Sequence, residues 1–478
     1  MEYSPDYIKE NLHKLGINEA SFLLKEWIAN SNDLRIKALK LLSSIDSGKN
    51  FNFYEHLFLS DEDLEIRLTT GIILREKYFN HKKIVSLLEF ALYNLQNYEQ
   101  KFFAVEFLNQ IDTKDTRKII KKYLENNIKK KLKDKYKEFP EEIFTKDYNS
   151  PISFHILAIC FNLILYEHYV KECGYTVVLR DGFIILLNCE GANLRNIDNI
   201  VGLDKLINLE HLLIQRNNIE KIDSLETLSK LKILNLSDNN IKKIENLQDL
   251  KNLEELNLSY CKIKKIENLD SLENLKKLNI EVNLIESFNG LENLYNLEEL
   301  NLSNNKISVI NHLTSQRKLR RLNLSFNQIV GISGLEKSDN LVLLFLNDNN
   351  ISKIENLNSL CELKTLNLSS NYISKIKGLD SLINLRKFEL SKNNIEKIEG
   401  LNKQVNLREL FLDKNQIKVI EAMDNLKNLI ILFLESNQIS EFNNKKIEQL
   451  SNLNFLFLNE NPLTPVSWVC YKKRSRLP

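Results

Sequence analysis

Asparagine stands at positions 217, 239, 283, 305, 327, 349, 371, 393, 415 and 437, each spaced from the others by multiples of 22 residues, and Cys261 fills the one vacant slot. A period this strict restricts the chain to architectures in which one short unit is laid on itself many times. In the copy Leu231–Leu250, apolar side chains stand at Leu231, Leu234, Leu236, Ile241, Ile244, Leu247 and Leu250 around Asn239. So small a unit cannot enclose its own apolar face, so the rows of Leu and Ile leave water only when successive copies stack. The alternation over Leu234–Leu236 predicts a short parallel strand, and the spacing of Ile241, Ile244, Leu247 and Leu250 predicts a tight return of extended or 3-10-like backbone. The Asn amide offers two donors and an acceptor where the chain turns inward, enough to join its own coil to the next. Cys261 is predicted to be the weakest rung, because a thiol is a poor donor and acceptor.

The array has irregular ends. Phe183–Cys189 reads as a first strand after the turn Arg180-Asp181-Gly182, with Ala192 in the Asn slot. Downstream, Lys445–Leu450 reads as a short helix before a last strand at Phe455–Leu458, and Pro462, Pro465 and Trp468 close the open end. The predicted organisation is an α-helical domain over residues 1–172, then a repeat domain over 173–478 with an N-terminal cap at 173–203, repeats over 204–463 and a C-terminal cap at 464–478.

Residues 1–172 lack the 22-residue period and read as amphipathic helices separated by polar breaks. Asp33-Leu34-Arg35-Ile36-Lys37-Ala38-Leu39 is similar to Asp63-Leu64-Glu65-Ile66-Arg67-Leu68-Thr69, and Tyr98–Leu108 forms a comparable helix. An Asp at a helix start followed by Arg-Ile or Ile-Arg resembles the second helix of HEAT-type repeats, which implies an α-solenoid. Ile152–Val170 is apolar, but His155 and Asn162 interrupt it, so a buried helix is expected rather than a membrane span. Between Lys114 and Lys137, eleven Lys or Arg face three acids, with Ile120, Leu124, Ile128 and Leu132 four apart. Such a helix is the solvated outer face of a packed element, or else a surface for nucleic acid or anionic membrane.

The net charge of +2 argues against global electrostatic binding to nucleic acid. The six cysteines show no paired spacing, so neither a zinc site nor a disulfide framework is implied, and a cytoplasmic or nuclear setting is expected. Met1–Asp6 lacks the basic and apolar regions of a signal peptide. No phosphate-binding Gly-rich loop, His-Glu-x-x-His or Gly-x-Ser-x-Gly is present, and the seven histidines are scattered. No catalytic residue, metal site or cofactor is expected, and the chain reads as non-enzymatic.

Binding is expected on the strands, where residues beside the buried leucines line up across coils. One row runs Glu255, Lys277, Glu299, Arg321, in which neighbouring opposite charges satisfy each other. Another runs Asn235, Asn257, Asn279, Asn301, Asn323 and then changes to Phe345, Asn367, Glu389, Phe411, Phe433 and Phe457. With Ile431 and Phe455 beside these rings and Asp413 and Glu435 along the edge, the C-terminal third is the expected site for a protein partner. The plainer reading is that the rings pack on one another.

The unit Leu-x-x-Leu-x-Leu-x-x-Asn-x-Ile-x-x-Ile-Glu-x-Leu, as in Leu231–Leu247 and Leu253–Leu269, is similar to the 22-residue leucine-rich-repeat family that includes the nuclear regulatory subunit of protein phosphatase 1. The resemblance covers roughly residues 183–463. It implies a leucine-rich-repeat solenoid with a curved parallel β-sheet, hence an α+β multidomain chain. It also implies a non-catalytic scaffold that grips a protein partner, a Ser/Thr phosphatase catalytic subunit among the candidates, with acidic and aromatic side chains on the concave face. The helical N-terminal half is foreign to that regulator.

Overall fold

The computed structural model describes residues 3–30, 33–131, 139–311, 313 and 315–474. The chain divides into two compact units, Met1–Ile184 and Ile185–Pro478.

The first unit is helical: α1 (Pro5–Glu10), α2 (Leu12–Ala29), α3 (Arg35–Ile45), α4 (Phe51–Ser60), α5 (Leu64–Lys77), α6 (Ile84–Asn94), α7 (Tyr98–Ile111), α8 (Lys114–Lys131) and α9 (Phe154–Glu167). Helix α2 packs with α3, α4 with α5 and α6 with α7, while α3 touches α5 and α5 touches α7. Helical hairpins whose second helices stack in chain order are the arrangement expected of an α-solenoid. The three segments alike in sequence are those second helices. Their starts differ, however: the Asp63 carboxylate caps α5 by accepting the Glu65 N–H at 2.8 Å, and Asn97 caps α7. Helix α3 begins after Leu34 without a side-chain cap. Arg35 instead reaches across to Asp61, 2.5 Å away, and donates to the Ile28 carbonyl at 2.7 Å.

The apolar segment predicted at Ile152–Val170 forms α9, which packs on α7 and α8. Its interrupting Asn162 is fully buried and satisfied, donating to the Ala158 carbonyl at 2.9 Å and accepting the Ile184 N–H at 2.9 Å. No described helix is long and apolar enough to cross a membrane. Strand β1 (Thr176–Arg180), which the sequence pattern did not suggest, precedes β2 (Phe183–Asn188).

The second unit is a parallel β-solenoid. After β2 come β3 (His211–Leu213), β4 (Ile233–Asn235), β5 (Glu255–Asn257), β6 (Lys277–Asn279), β7 (Glu299–Asn301), β8 (Arg321–Asn323), β9 (Leu343–Phe345), β10 (Thr365–Asn367), β11 (Lys387–Glu389), β12 (Glu409–Phe411), β13 (Ile431–Phe433) and β14 (Phe455–Phe457). From β3 to β13 each pairs with the next in strict 22-residue register, as in Glu255↔Lys277 and Leu256↔Leu278, while the step is 25 residues from β2 to β3 and 24 from β13 to β14. The last strand is one residue shorter than predicted, and the expected helix at Lys445–Leu450 is a single 3-10 turn, Asn444–Ile447.

Each strand from β3 to β14 buries its middle residue and leaves the flanking pair half exposed or exposed, so Leu234, Leu256 and Leu278 sit inside while their neighbours face outward. The return path carries successive i+3 turns, such as Leu247 O to Leu250 N and Leu250 O to Leu253 N. The Asn ladder closes each coil. Asn349 accepts the Ile329 N–H at 3.0 Å and donates to the Leu324, Leu346 and Asn347 carbonyls at 2.9, 3.1 and 3.2 Å. Each bonded Leu carbonyl receives two amides, one from its own coil and one from the next, which ties the stack together. At Cys261 the sulfur reaches the Leu236 and Ser259 carbonyls at 3.6 Å each, and burial pushes the thiol up to about 11. It therefore stays protonated and donates weakly.

The residue just before the ladder position takes a left-handed backbone in coil after coil, with φ of 55° at Asp238, 56° at Tyr260, 52° at Val282 and 56° at Phe326. Helix α10 (Pro465–Arg474) covers the final coil, and the Tyr471 hydroxyl accepts the Leu458 N–H at 3.2 Å. The remainder of the predicted C-terminal cap, residues 475–478, lies outside the described residues.

Candidate functional site

The outward positions of the strands form two surfaces of different chemistry. Along β4–β8 the first outward row is Ile233, Glu255, Lys277, Glu299, Arg321 and the second is Asn235, Asn257, Asn279, Asn301, Asn323, both fixed by the register. Lys277 meets Glu255 and Lys276 meets Glu254, each at 2.7 Å. Hydrogen bonding to Lys276 holds the Glu254 carboxyl below its ordinary range. Each row Asn turns its Oδ1 to a backbone N–H two residues on, as Asn257 does to Ser259 at 3.0 Å and Asn279 to Glu281 at 3.1 Å. These bonds fix the amides in one orientation and leave a groove of about 350 Å3 floored by the Asn row and walled by the charges. The visible signal for the groove was an uninterrupted run of one short residue between longer ones.

Along β11–β14 the surface turns aromatic. Phe411 and Phe433 stack with ring centroids 4.9 Å apart and planes 15° from parallel, and Phe433 and Phe457 stack at 4.1 Å and 10°. Strand spacing sets this geometry, because identical side chains at the same position of adjacent parallel strands stand about 4.8 Å apart. The rings are half-buried, and Ile431 lies half-buried on the neighbouring row while Phe455 is 53% exposed. Lys387 places its Nζ 5.1 Å from the Phe411 ring centre and 2.9 Å from Glu389, whose carboxylate also accepts from Asn367 at 3.1 Å.

An acidic edge follows the rings. Asp413 accepts the Ser391 hydroxyl at 2.5 Å, Glu435 accepts the Asn459 amide at 2.7 Å, and Glu460 accepts the Ser436 hydroxyl. The structure thus brings Phe411, Phe433, Phe457, Ile431, Phe455, Asp413 and Glu435 together. Phe345 stands apart on β9 under the Arg321 guanidinium, 5.5 Å from its ring centre, with Asn367 and Glu389 intervening.

The basic segment Lys114–Lys137 is described as far as Lys131, so its Leu132 lies outside the described residues. Ile120, Tyr123, Leu124 and Ile128 are buried in the first unit, and Lys121 is buried with its Nζ 2.8 Å from the Asp147 carbonyl. A helix bound to a membrane needs its apolar face free, so that alternative loses its surface here. Lys114, Lys118, Lys122 and Lys129 form the solvated face. Among the described residues no group of three or more His, Cys, Asp or Glu is placed to hold a metal ion.

Family models for leucine-rich repeats match residues 207–263, and a two-copy leucine-rich-repeat model matches 251–293 and 295–337. The second unit is a leucine-rich-repeat domain. An internalin (inlF) from Listeria monocytogenes is 29% identical over 61% of this chain and 85% of its own, with a TM-score of 0.56. A leucine-rich-repeat protein from Leptospira interrogans is 26% identical over 59% of this chain and 80% of its own, with a TM-score of 0.52. No curated protein matches the chain. Leucine-rich-repeat proteins are generally protein-interaction scaffolds and typically non-catalytic. In this leucine-rich-repeat domain the outward strand rows are the surfaces such a role would use.

Proposed function

We propose that this chain is a non-catalytic scaffold that binds a protein partner on the strand face of its leucine-rich-repeat domain, anchored at the β12–β14 aromatic edge. The observation that carries this reading is the continuous apolar strip of Phe411, Phe433 and Phe457 with Ile431 and Phe455 beside it, rimmed by Asp413 and Glu435. Burying a Phe contributes about 1.5–3 kcal/mol. Because stacking already covers part of each ring, the lower end applies to each, and the strip acts through several rings together.

The six cysteines form no disulfide, in keeping with a proposed cytoplasmic or nuclear setting. The likeness to phosphatase regulators in repeat pattern supplies one partner to try, a Ser/Thr phosphatase catalytic subunit. Affinity purification of the full chain followed by mass spectrometry identifies the partner, and Phe433→Ala and Phe411→Ala test the site. Each substitution is expected to weaken capture about tenfold or more, equivalent to about 1.4 kcal/mol. Unchanged recovery with both variants would sink the assignment.

A further inference from the structure

Helix α9 does not end in an ordinary α-turn. It runs on into a π-helical turn, His168–Glu172, in which the Cys173 N–H donates to the His168 carbonyl at 3.2 Å, five residues back. In an α-helix, side chains five apart diverge by about 140°. The wider turn brings them together: Cys173 Sγ lies 3.5 Å from His168 Nε2, and His168 Nδ1 lies 2.7 Å from Glu172 Oε2. Insertions of this kind concentrate at functional sites.

The chemistry of the partners assigns the proton. An ionised carboxylate only accepts, so His168 Nδ1 carries the hydrogen and Nε2 presents its lone pair to the thiol. The Tyr98 ring, 4.6 Å from the imidazole centre, helps hold the base in place. Thiol, base and orienting carboxylate therefore stand in the order that nucleophile activation requires. They do not converge on a common point, which suits proton transfer rather than metal binding.

Burial and the Glu172 carboxylate raise the Cys173 thiol above its ordinary pKa. The sulfur therefore needs a base to take its proton before or as it attacks. Cys173 is nonetheless exposed. Next to it, Gln96, Tyr98, Lys101, Glu167 and Lys171, with His168 and Glu172, line a cavity of about 250 Å3.

We propose that Cys173 is a site of covalent modification by small disulfides, activated by His168 and Glu172. The Cys173 S–H proton passes to His168 Nε2 while the sulfur forms a bond to one disulfide sulfur. The original S–S bond breaks; a basic departing thiolate takes the proton from His168, whereas a weakly basic aromatic one leaves as the thiolate and the His168 proton passes to water. One thiol and one disulfide become one mixed disulfide and one thiol or thiolate, with no other oxidant.

The probe is the aromatic disulfide 5,5′-dithiobis(2-nitrobenzoate), applied to the full chain, with peptide mass spectrometry reporting the rate at each cysteine. Exposed Cys361 serves as the unassisted control. Cys173 is expected to react faster than Cys361, and His168→Gln is expected to slow Cys173 about tenfold or more while leaving Cys361 unchanged. Glu172→Gln should slow it less. Equal rates at the two cysteines in the unaltered chain, or a Cys173 rate unmoved by His168→Gln, overturns the proposal.

A second measurement needs no substitution. From about pH 8 to about pH 6 an unassisted thiol loses close to tenfold in rate per unit, because only its thiolate reacts. Cys173 hands its proton to a base flanked by Tyr98, Glu172, Glu167, Lys101 and Lys171, and is expected to lose distinctly less than Cys361. Parallel losses would count against assistance by His168.

Discussion

Replacing Asn349 with Ala removes one rung of the ladder, and the bonding pattern sets the size of the effect. The Leu324 carbonyl keeps the Asn327 amide at 3.1 Å, and the Leu346 carbonyl keeps the Asn371 amide at 2.9 Å, so neither is orphaned. The Ile329 N–H, bonded to Asn349 Oδ1 at 3.0 Å in a buried position, loses its partner. An orphaned buried donor costs about 1–3 kcal/mol, and each lost bond to a still-satisfied carbonyl about 0.5–1.5 kcal/mol. With two amide hydrogens, hence two such bonds, the sum is about 2–6 kcal/mol. The converse change, Cys261→Asn, restores a full rung where the thiol now makes two long contacts, and is expected to stabilise by about 1–2 kcal/mol. Urea denaturation followed by circular dichroism measures both, and amide hydrogen exchange at Ile329 localises the first, as suits an array whose coils open regionally. A loss under about 1 kcal/mol for Asn349→Ala with exchange at Ile329 unchanged would refute the inter-coil bonding argument.

Further outcomes follow from single positions. Val282 holds φ 52°, a conformation that a β-branched residue adopts at a cost of about 1–2 kcal/mol, and Asn occupies the equivalent slot at 304. Val282→Asn should raise the thermal midpoint, and no change would mean the backbone relaxes at little cost. At Gly290, φ is 95° and an added Cβ would lie 2.0 Å from the Ile266 carbonyl oxygen of the preceding coil, so Gly290→Ala should destabilise by about 2–5 kcal/mol in the same urea assay. Arg35→Ala leaves Asp61, whose side chain is 7% exposed, without its cation, and should lower stability of the first unit by about 3 kcal/mol. Asp61→Asn combined with it should recover part of that loss, and a double variant as unstable as Arg35→Ala would argue that the ion pair is not the cause.

Several features were legible because they depend on short-range pattern. The 22-residue spacing specified the stacking direction, the in-register rows and the role of Asn349 and its equivalents, since a repeat displaced by one residue would turn every strand leucine to water. The second helices of the first unit were visible from three similar segments, and so was the Asp63 cap, whereas α3 begins after Leu34 without a side-chain cap. Other features depended on geometry that composition does not encode. The sequence put Phe411, Phe433 and Phe457 on one row and offered mutual packing as one of two readings; strand spacing is what stacks them. The Asn groove was hidden for a related reason, since a depression is a relation between neighbouring rows.

The amino-acid order alone determined the coil, its buried leucines and its amide ladder, because each is enforced by local periodicity repeated many times over. The tertiary structure decided which outward side chains meet. It also decided that Tyr260, Val282 and Phe326 accept a left-handed backbone, because coils bonded on both sides leave the turn no other path. His168 and Cys173 fall on divergent faces of any regular α-helix, and only the π-turn joins them. A single extra residue in one helical turn leaves no periodic pattern along the chain to announce it.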